Sequence, residues 1–316
     1  MPRLTAISSR SLSNIGIKGL SVTAGNAFAI FSFGAFYHWT NLVSNTGVVA
    51  TDVTGVGTSR SNVAAAGYGG DKAIFGYGTS NADFVTDLSM TNRVSNTGVV
   101  ATDTTGVGTA RTSLAAAGYG TDKAIFGYGS ASNTATTATN LVSNTGVVAN
   151  DVFASGTARL VLAAAGFGGD KAIFGYGAPA GGAPPYLSIT SLVSNTGAVV
   201  SEVTGVGTAR RYLAAAGYGT DKAIFGYGQN SANSSVSITN LVSNTGVVVA
   251  DVTSVGTVRH NLAAAGYGTD KAIFGYGLGG GNFVSMTNLV SNTGTVVSEV
   301  TGVGTARAGL AGASYG

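Results

Sequence analysis

The stretch that decides the fold runs from Gly108 to Gly129, GTARTSLAAAGYGTDKAIFGYG, and resumes after a short insert as TNLVSNTGVV from Thr139 to Val148. LAAAGY and KAIFGYG are short, apolar and bounded by turn residues, the pattern of buried strands. Gly-Tyr-Gly-Thr-Asp separates these two strands. Asn-Thr-Gly separates a third apolar segment from a fourth, which runs into the next GTAR-like element. The same unit recurs outward in both directions. VSNTG begins at Val43, Val94, Val142, Val193, Val242 and Val290, and DKAIFGYG at Asp71, Asp122, Asp170, Asp221 and Asp270. Phe28 to Gly34, FAIFSFG, is a diverged further copy, and the chain ends on another first-strand element, LAGASYG, from Leu310 to Gly316. A period of about 50 residues is that of a propeller blade.

A four-stranded meander has two apolar faces and cannot bury both alone. Blades must therefore stack, and stacking in a circle leaves no exposed end. The repeat count predicts an all-β fold, a six-bladed β-propeller of four-stranded antiparallel blades over residues 19–316, preceded by a leader or docking arm over residues 1–18. The last first-strand copy is C-terminal, whereas the first blade opens on its second strand near Phe28, so pairing of terminal strands is expected to close the ring. Either Leu310 to Ser314 or Gly19 to Thr23 could pair with Ala27 to Phe33, and the sequence leaves both open.

These residues resemble kelch repeats, in which an Arg after a small-residue turn leads into an apolar strand and a second strand ends in paired glycines. The resemblance covers nearly the whole chain and implies the same propeller class. The sequence departs from the kelch pattern in lacking the Tyr and Trp usual near the third and fourth strands, and in placing a Tyr between the paired glycines. Blade packing is therefore expected to rest on Val, Ala and Ile. RCC1-type blades would need a Trp-Gly motif, and the single Trp is Trp39. Sialidase-type Asp boxes would need Asp where SNTG has Thr, and a β-solenoid would need shorter coils.

Composition narrows the function. Charged residues make up 9% of the chain while 44% are apolar, which excludes an ordinary disordered segment. The net charge of +3 is scattered, with no basic run to track a phosphate backbone, so no nucleic-acid partner is expected. There is no Cys, and His38 and His260 fall in different repeats, so neither a metal nor another cofactor is expected. The uncharged run from Gly19 could pass for a membrane span, but its match to a repeat strand argues against one. Arg3 and Arg10 precede a polar SLSNIGI, which does not suit a secretory signal.

Almost every charge is locked to the repeat. Asp52, Asp103, Asp151, Glu202, Asp251 and Glu299 occupy one position, and Arg60, Arg111, Arg159, Arg210, Arg259 and Arg307 another. Catalysis needs unlike groups converging with separated pKa values, whereas a ring of identical charges marks a structural role. No catalytic residue is assigned, and the acid and Arg of each repeat are expected to bond loops or neighbouring strands. The GYGTD strings lack the Lys-Ser/Thr ending and following helix of a phosphate loop and read as hairpin turns.

The copies differ in two places. One is the connection from second to third strand: AFYHW, TSNADFVTDLSM, SASNTATTA, APAGGAPPYLSI, QNSANSSVSI and LGGGNFVSM. The other is the pair after each repeat Arg: Ser61-Asn62, Thr112-Ser113, Leu160-Val161, Arg211-Tyr212, His260-Asn261 and Ala308-Gly309. In an up-and-down sheet both connections leave from the same end. One propeller face is thus varied and the other uniform, and recognition is normally placed on varied loops of a rigid repeat scaffold. The candidate ligand-binding residues are Tyr37, His38, Trp39, Phe84, Tyr186, Arg211, Tyr212, His260, Asn261 and Phe283.

The absence of Cys, the Ser/Thr/Asn/Gly surface and the near-identical tandem repeats resemble bacteriophage tail-fibre and other virion structural proteins. That resemblance implies a non-enzymatic virion component, made in the host cytoplasm and released by lysis, whose partners are other virion proteins and a host-surface glycan or protein. An intracellular or secreted kelch-type protein–protein interaction module is the alternative, and the alternative location is extracellular or at the cell surface. A kelch-like oxidase or lyase ranks last, because no acid–base or metal-ligand set breaks the repeat symmetry.

Overall fold

The computed structural model describes residues 28–316 except Phe36 and Phe84. The leader over residues 1–18, the alternative closing strand Gly19 to Thr23 and the candidate Phe84 lie outside the described residues. The protein is a six-bladed β-propeller of small antiparallel sheets, with no helix among the described residues. Blade three is representative: Ala115–Tyr119, Lys123–Gly127, Ala138–Val142 and Val152–Phe153 follow one another outward from the axis. The first strands of successive blades pack against each other around that axis. Along Ala115–Tyr119 buried and half-buried residues alternate. The period of two lets one set of side chains enter the space between blades while small Ala and Gly residues face the channel.

The fourth strands are the least regular. In blades one and two they reduce to isolated bridges, Val43 to Val49 and Thr40 to Val53, then Val94 to Val100 and Thr91 to Thr104. In blades four and six they are continuous, Val199–Val203 and Val296–Val300, with register shifts opposite Ser191/Val193 and Asn288/Val290. Where the ladder opens, a third-strand Asn amide bridges it: Asn140 Nδ2 donates to the Ala149 carbonyl at 2.9 Å, and Asn41 Nδ2 to that of Ala50 at 2.9 Å.

Ring closure belongs to the C-terminus. Ala311–Tyr315 pairs antiparallel with Phe28–Ser32, with Phe28 opposite Tyr315 and Ser32 opposite Ala311. Phe28–Ser32 pairs on its other side with Thr40–Val43, so it is a central strand of blade one.

Packing between blades includes the expected Val, Ala and Ile contacts, as where Ala115, Ala117 and Ile125 of blade three meet Ala172 and Val193 of blade four. The aromatic pair of FGYG is added to them. Tyr128 of blade three meets Phe174 of blade four at 5.2 Å between ring centroids and 66° between planes, and Tyr77–Phe126, Tyr176–Phe225 and Tyr227–Phe274 repeat this geometry. The Tyr set between the two glycines makes this possible. Tyr128 has φ 64° and Gly129 φ 95°, two consecutive left-handed residues that turn the ring out of its own sheet and into the next blade. Gly127 supplies the room, because a Cβ there would lie 2.7 Å from Phe174 Cζ.

Deleting Leu310 to Gly316 removes the strand paired to the inner edge of Phe28–Ser32 and uncovers the buried Ile30 and Phe31. The truncated chain is expected to aggregate. Size-exclusion chromatography finding it monomeric, with a cooperative melt, would show that the ring does not depend on this strand.

Candidate functional site

Each blade is pinned by one fully buried Arg. Arg60, Arg111, Arg159, Arg210, Arg259 and Arg307 all have 0% exposure. Arg111 Nη2 donates to Asn140 Oδ1 at 2.6 Å, Nε to the Tyr128 carbonyl at 3.0 Å and Nη1 to the Thr109 carbonyl at 3.2 Å, and its guanidinium lies 4.3 Å from the Tyr77 ring centroid of the preceding blade. The acid of the fourth strand completes the cage. Asp151 sits 3.6 Å from Arg111 and accepts from the Thr109 backbone N–H and hydroxyl at 2.8 and 2.6 Å, tethering the chain as it arrives from the previous blade. In blade one the same contacts span the termini, with Arg307 at 3.6 Å from Asp52 and Thr305 donating to Asp52 at 2.8 Å. Five of the six acid–Arg pairs lie within 4 Å, whereas Arg60 donates instead to Asn92 and to the Tyr77 and Met90 carbonyls. Glu202, one methylene longer, reaches Arg159 directly at 2.9 Å, and its third strand has Ser191 where the other blades have Asn.

The variable connections do leave from one end. The residue after five of the six Arg bridges to the loop between second and third strands, pairing Ser61 with Thr79, Thr112 with Ser130, Leu160 with Ala178, Arg211 with Gln229 and His260 with Leu278, and the sixth, Ala308, accepts from the Ala35 N–H. The next residue in each copy belongs to a closed ring of main-chain hydrogen bonds. Asn62 donates to Gly309 at 2.7 Å, Ser113 to Asn62 at 3.2 Å, Val161 to Ser113 at 2.8 Å, Tyr212 to Val161 at 2.9 Å, Asn261 to Tyr212 at 2.8 Å, and Gly309 back to Asn261 at 3.0 Å. All these residues are left-handed, with φ between 52° and 69°. The ring constricts the channel at this end and leaves a shallow recess of about 80 Å3.

Around it the varied side chains fall into two groups. In blade one, Tyr37 and Trp39 stack at 4.3 Å and 16°, and both are half-buried, as is His38. Across blades four to six lies a polar aromatic cluster. Arg211 has Tyr186 and Tyr212 ring centroids at 4.6 and 4.9 Å, donates from Nε to Gln229 Oε1 at 3.0 Å and from Nη1 to the Gly182 carbonyl at 2.7 Å. Tyr212 meets the His260 ring at 5.9 Å, and His260 Nδ1 lies 2.8 Å from Ser235 Oγ. Burial, aided by the nearby Arg211 charge, lowers the His260 pKa, so the imidazole is neutral at pH 7.

The candidates thus differ in what they offer. Tyr186 was expected on an open rim but is only 4% exposed, with its hydroxyl bonded to Asn233. It supports Arg211 and presents no free face. Asn261 contributes its backbone to the ring, and Phe283 is 40% exposed on a hairpin edge. Gln229, Asn233 and Ser235 also belong to the cluster. They lie in the loop QNSANSSVSI, whose amide-rich composition was the only signal pointing to them.

The larger axial cavity, about 280 Å3, opens at the opposite, uniform end. Its wall includes Gly67, Gly118, Gly166, Gly217 and Gly266, with Lys123, Lys171, Lys222 and Lys271 at the mouth. Each of these lysines pairs with the preceding Asp at 2.6–2.8 Å, so the mouth carries balanced charge. Among the described residues no group of His, Cys, Asp and Glu is placed to hold a metal ion. No protein-family model and no curated protein matches the chain.

The Arg cage fixes the response to mutation and pH. Arg111→Met would leave Asn140 Oδ1 and the Tyr128 and Thr109 carbonyls without their donor and Asp151 without its ion-pair partner, and a loss of about 3–5 kcal/mol is expected in urea unfolding. A loss below about 1 kcal/mol would mean the cage is dispensable. Burial alone would raise the carboxyls of Asp52, Asp103, Asp151 and Asp251, but hydrogen bonds from Thr and Asn, with the Arg charge, outweigh it and hold them below the usual range. That stability is present above the unfolded carboxyl pKa near about 4 and is lost as pH falls through the folded values. Desolvation pushes the Tyr77, Tyr176 and Tyr276 hydroxyls up to about 12. Their contribution is present below the unfolded value of about 10 and is lost as pH rises toward the folded one. Melting temperature is expected to be level from about pH 5 to 9 and to fall on both sides. A profile without an acid or an alkaline limb would contradict this assignment.

Proposed function

We propose that this chain is a non-enzymatic recognition propeller of a virion, a phage tail-fibre or decoration component, which binds a host-surface glycan or protein through its variable face. The observation that carries the reading is the segregation of differences. Six frames built on one Arg cage hold their varied residues at a single end, while the turns at the other end repeat nearly unchanged. Rigid frames with local diversity suit recognition, because binding then costs little ordering of the scaffold. The kelch-like order of elements, the low charge and the lack of Cys support a robust binding module.

A second observation bears on protein partners. The fourth strands form the outer wall and carry exposed apolar side chains, among them Val53, Val152 and Phe153, each more than half exposed. Such a girdle favours contact with neighbouring proteins of an assembly.

The test is binding of labelled protein to host cells, with immunogold localisation on particles. Tyr37→Ala with Trp39→Ala, or Arg211→Gln, is expected to weaken cell binding about tenfold or more while shifting stability by about 1 kcal/mol or less. Asn96→Ala or Asp122→Ala, on the uniform face, is expected to leave binding intact. Cell binding that ignores every variable-face change and is lost with uniform-face changes would reverse the reading and make the propeller an assembly part held by its constant side.

A further inference from the structure

We propose that Arg211 anchors a carboxylate-binding site on the variable face and that its ligand is a carboxylate-bearing sugar. The proposal rests on the reading of that face as the recognition face. It begins from charge. The uniform-face lysines and five of the six repeat arginines have acidic partners within 4 Å, whereas Arg211, like Arg60 and Arg93, makes no ion pair among the described residues, and it bonds only to the neutral Gln229 and to the Gly182 carbonyl.

Arg211 is nonetheless held in place. Two hydrogen bonds from blades four and five and two aromatic rings fix the guanidinium plane, and its Nη2 group has no acceptor among the described residues. A planar fork, positioned in advance and with an open edge, matches the two oxygens of a carboxylate at small entropic cost. The scaffold does not require Arg here, because the other blades place Ser61, Thr112, Leu160, His260 and Ala308 at the same position.

The surroundings select the rest of the ligand. Gln229, Asn233 and the Ser235–His260 pair offer amide, hydroxyl and imidazole groups that both donate and accept. Beside them the axial recess is about 80 Å3, edged by Asn62, Ser113 and Asn261 together with the apolar Leu114, Leu162 and Leu213. The amide, hydroxyl and imidazole groups around Arg211 suit the hydroxyls of a pyranose.

The full-length chain would be titrated by calorimetry with methyl glucuronide and with the methyl glycoside of N-acetylneuraminate. Methyl glucoside, tetraglutamate and inorganic phosphate serve as comparisons. At least one carboxylated sugar is expected to bind saturably, with affinity reduced about tenfold or more in Arg211→Gln and in Arg211→Lys, which keeps the charge and loses the fork. Arg93→Gln is expected to bind it like the parent, and melting curves confirm that each variant is folded. The proposal is overturned if neither carboxylated sugar binds at up to about 50 mM, or if binding survives Arg211→Gln. Equal or tighter binding of tetraglutamate or phosphate would also overturn it. Cell binding lost in the Tyr37 and Trp39 variants but unchanged in Arg211→Gln would sink this site alone, whereas indifference to all of them would sink the recognition face itself.

Discussion

Everything else in this propeller is arranged around six guanidinium groups that have no access to water. Taking such a charge out of water costs several kcal/mol unless its donors and its charge are met. The repeats draw on one set of partners: a third-strand Asn or Ser and an aromatic ring from the preceding blade in each, and a fourth-strand acid within 4 Å of every guanidinium but that of Arg60. The Nε groups of Arg60, Arg159, Arg210 and Arg259 have no acceptor among the described residues. Because the ring comes from one blade and the hydrogen bonds from the next, the guanidinium is also the joint between them. A buried ion pair is not by itself a source of stability. It specifies a single way for neighbouring blades to meet, and a frame of nearly identical repeats needs that because shifted packings would otherwise be close in energy.

The same joint explains why the sequence repeats where it does. The Tyr of FGYG must turn its ring toward the next blade while its carbonyl stays near its own Arg, and the left-handed backbone at Tyr128 and Gly129 achieves both. The acid must accept from the Thr before the next Arg, which fixes GTAR as a unit. FGYG, the third-strand Asn, the acid and GTAR are therefore one interaction seen at four places in the chain.

Much of this was legible in the sequence and some of it was not. The spacing of VSNTG and DKAIFGYG gives the blade count, and the placement of the last first-strand copy narrows closure to two options. The charges are recognisable as structural because identical residues recur at identical positions. The direction of Tyr128 was hidden, since Tyr is not a residue that announces a positive φ. The axial ring was hidden for a similar reason: its members are Asn, Ser, Val, Tyr, Asn and Gly, and each bonds a partner in another repeat. Tyr186 read as a rim aromatic because nothing in APAGGAPPYLSI signals that Arg211, from the following blade, lies across it.

That axial ring also accounts for how variation and rigidity coexist at one face. Its hydrogen bonds use only main-chain atoms, so the position tolerates any side chain that can accept a left-handed backbone, and Val161 and Tyr212 show how far that tolerance extends. Next to it, the residue bridged to the second-to-third loop is again held by its backbone, as with Arg211 and Gln229. Side chains at both positions can change without loosening the frame, because the frame never relied on them. The physical separation is between backbone, which holds the blades at the axis, and side chain, which is left to interact. Arg211 is the case where that freedom places a charge that the fold does not neutralise.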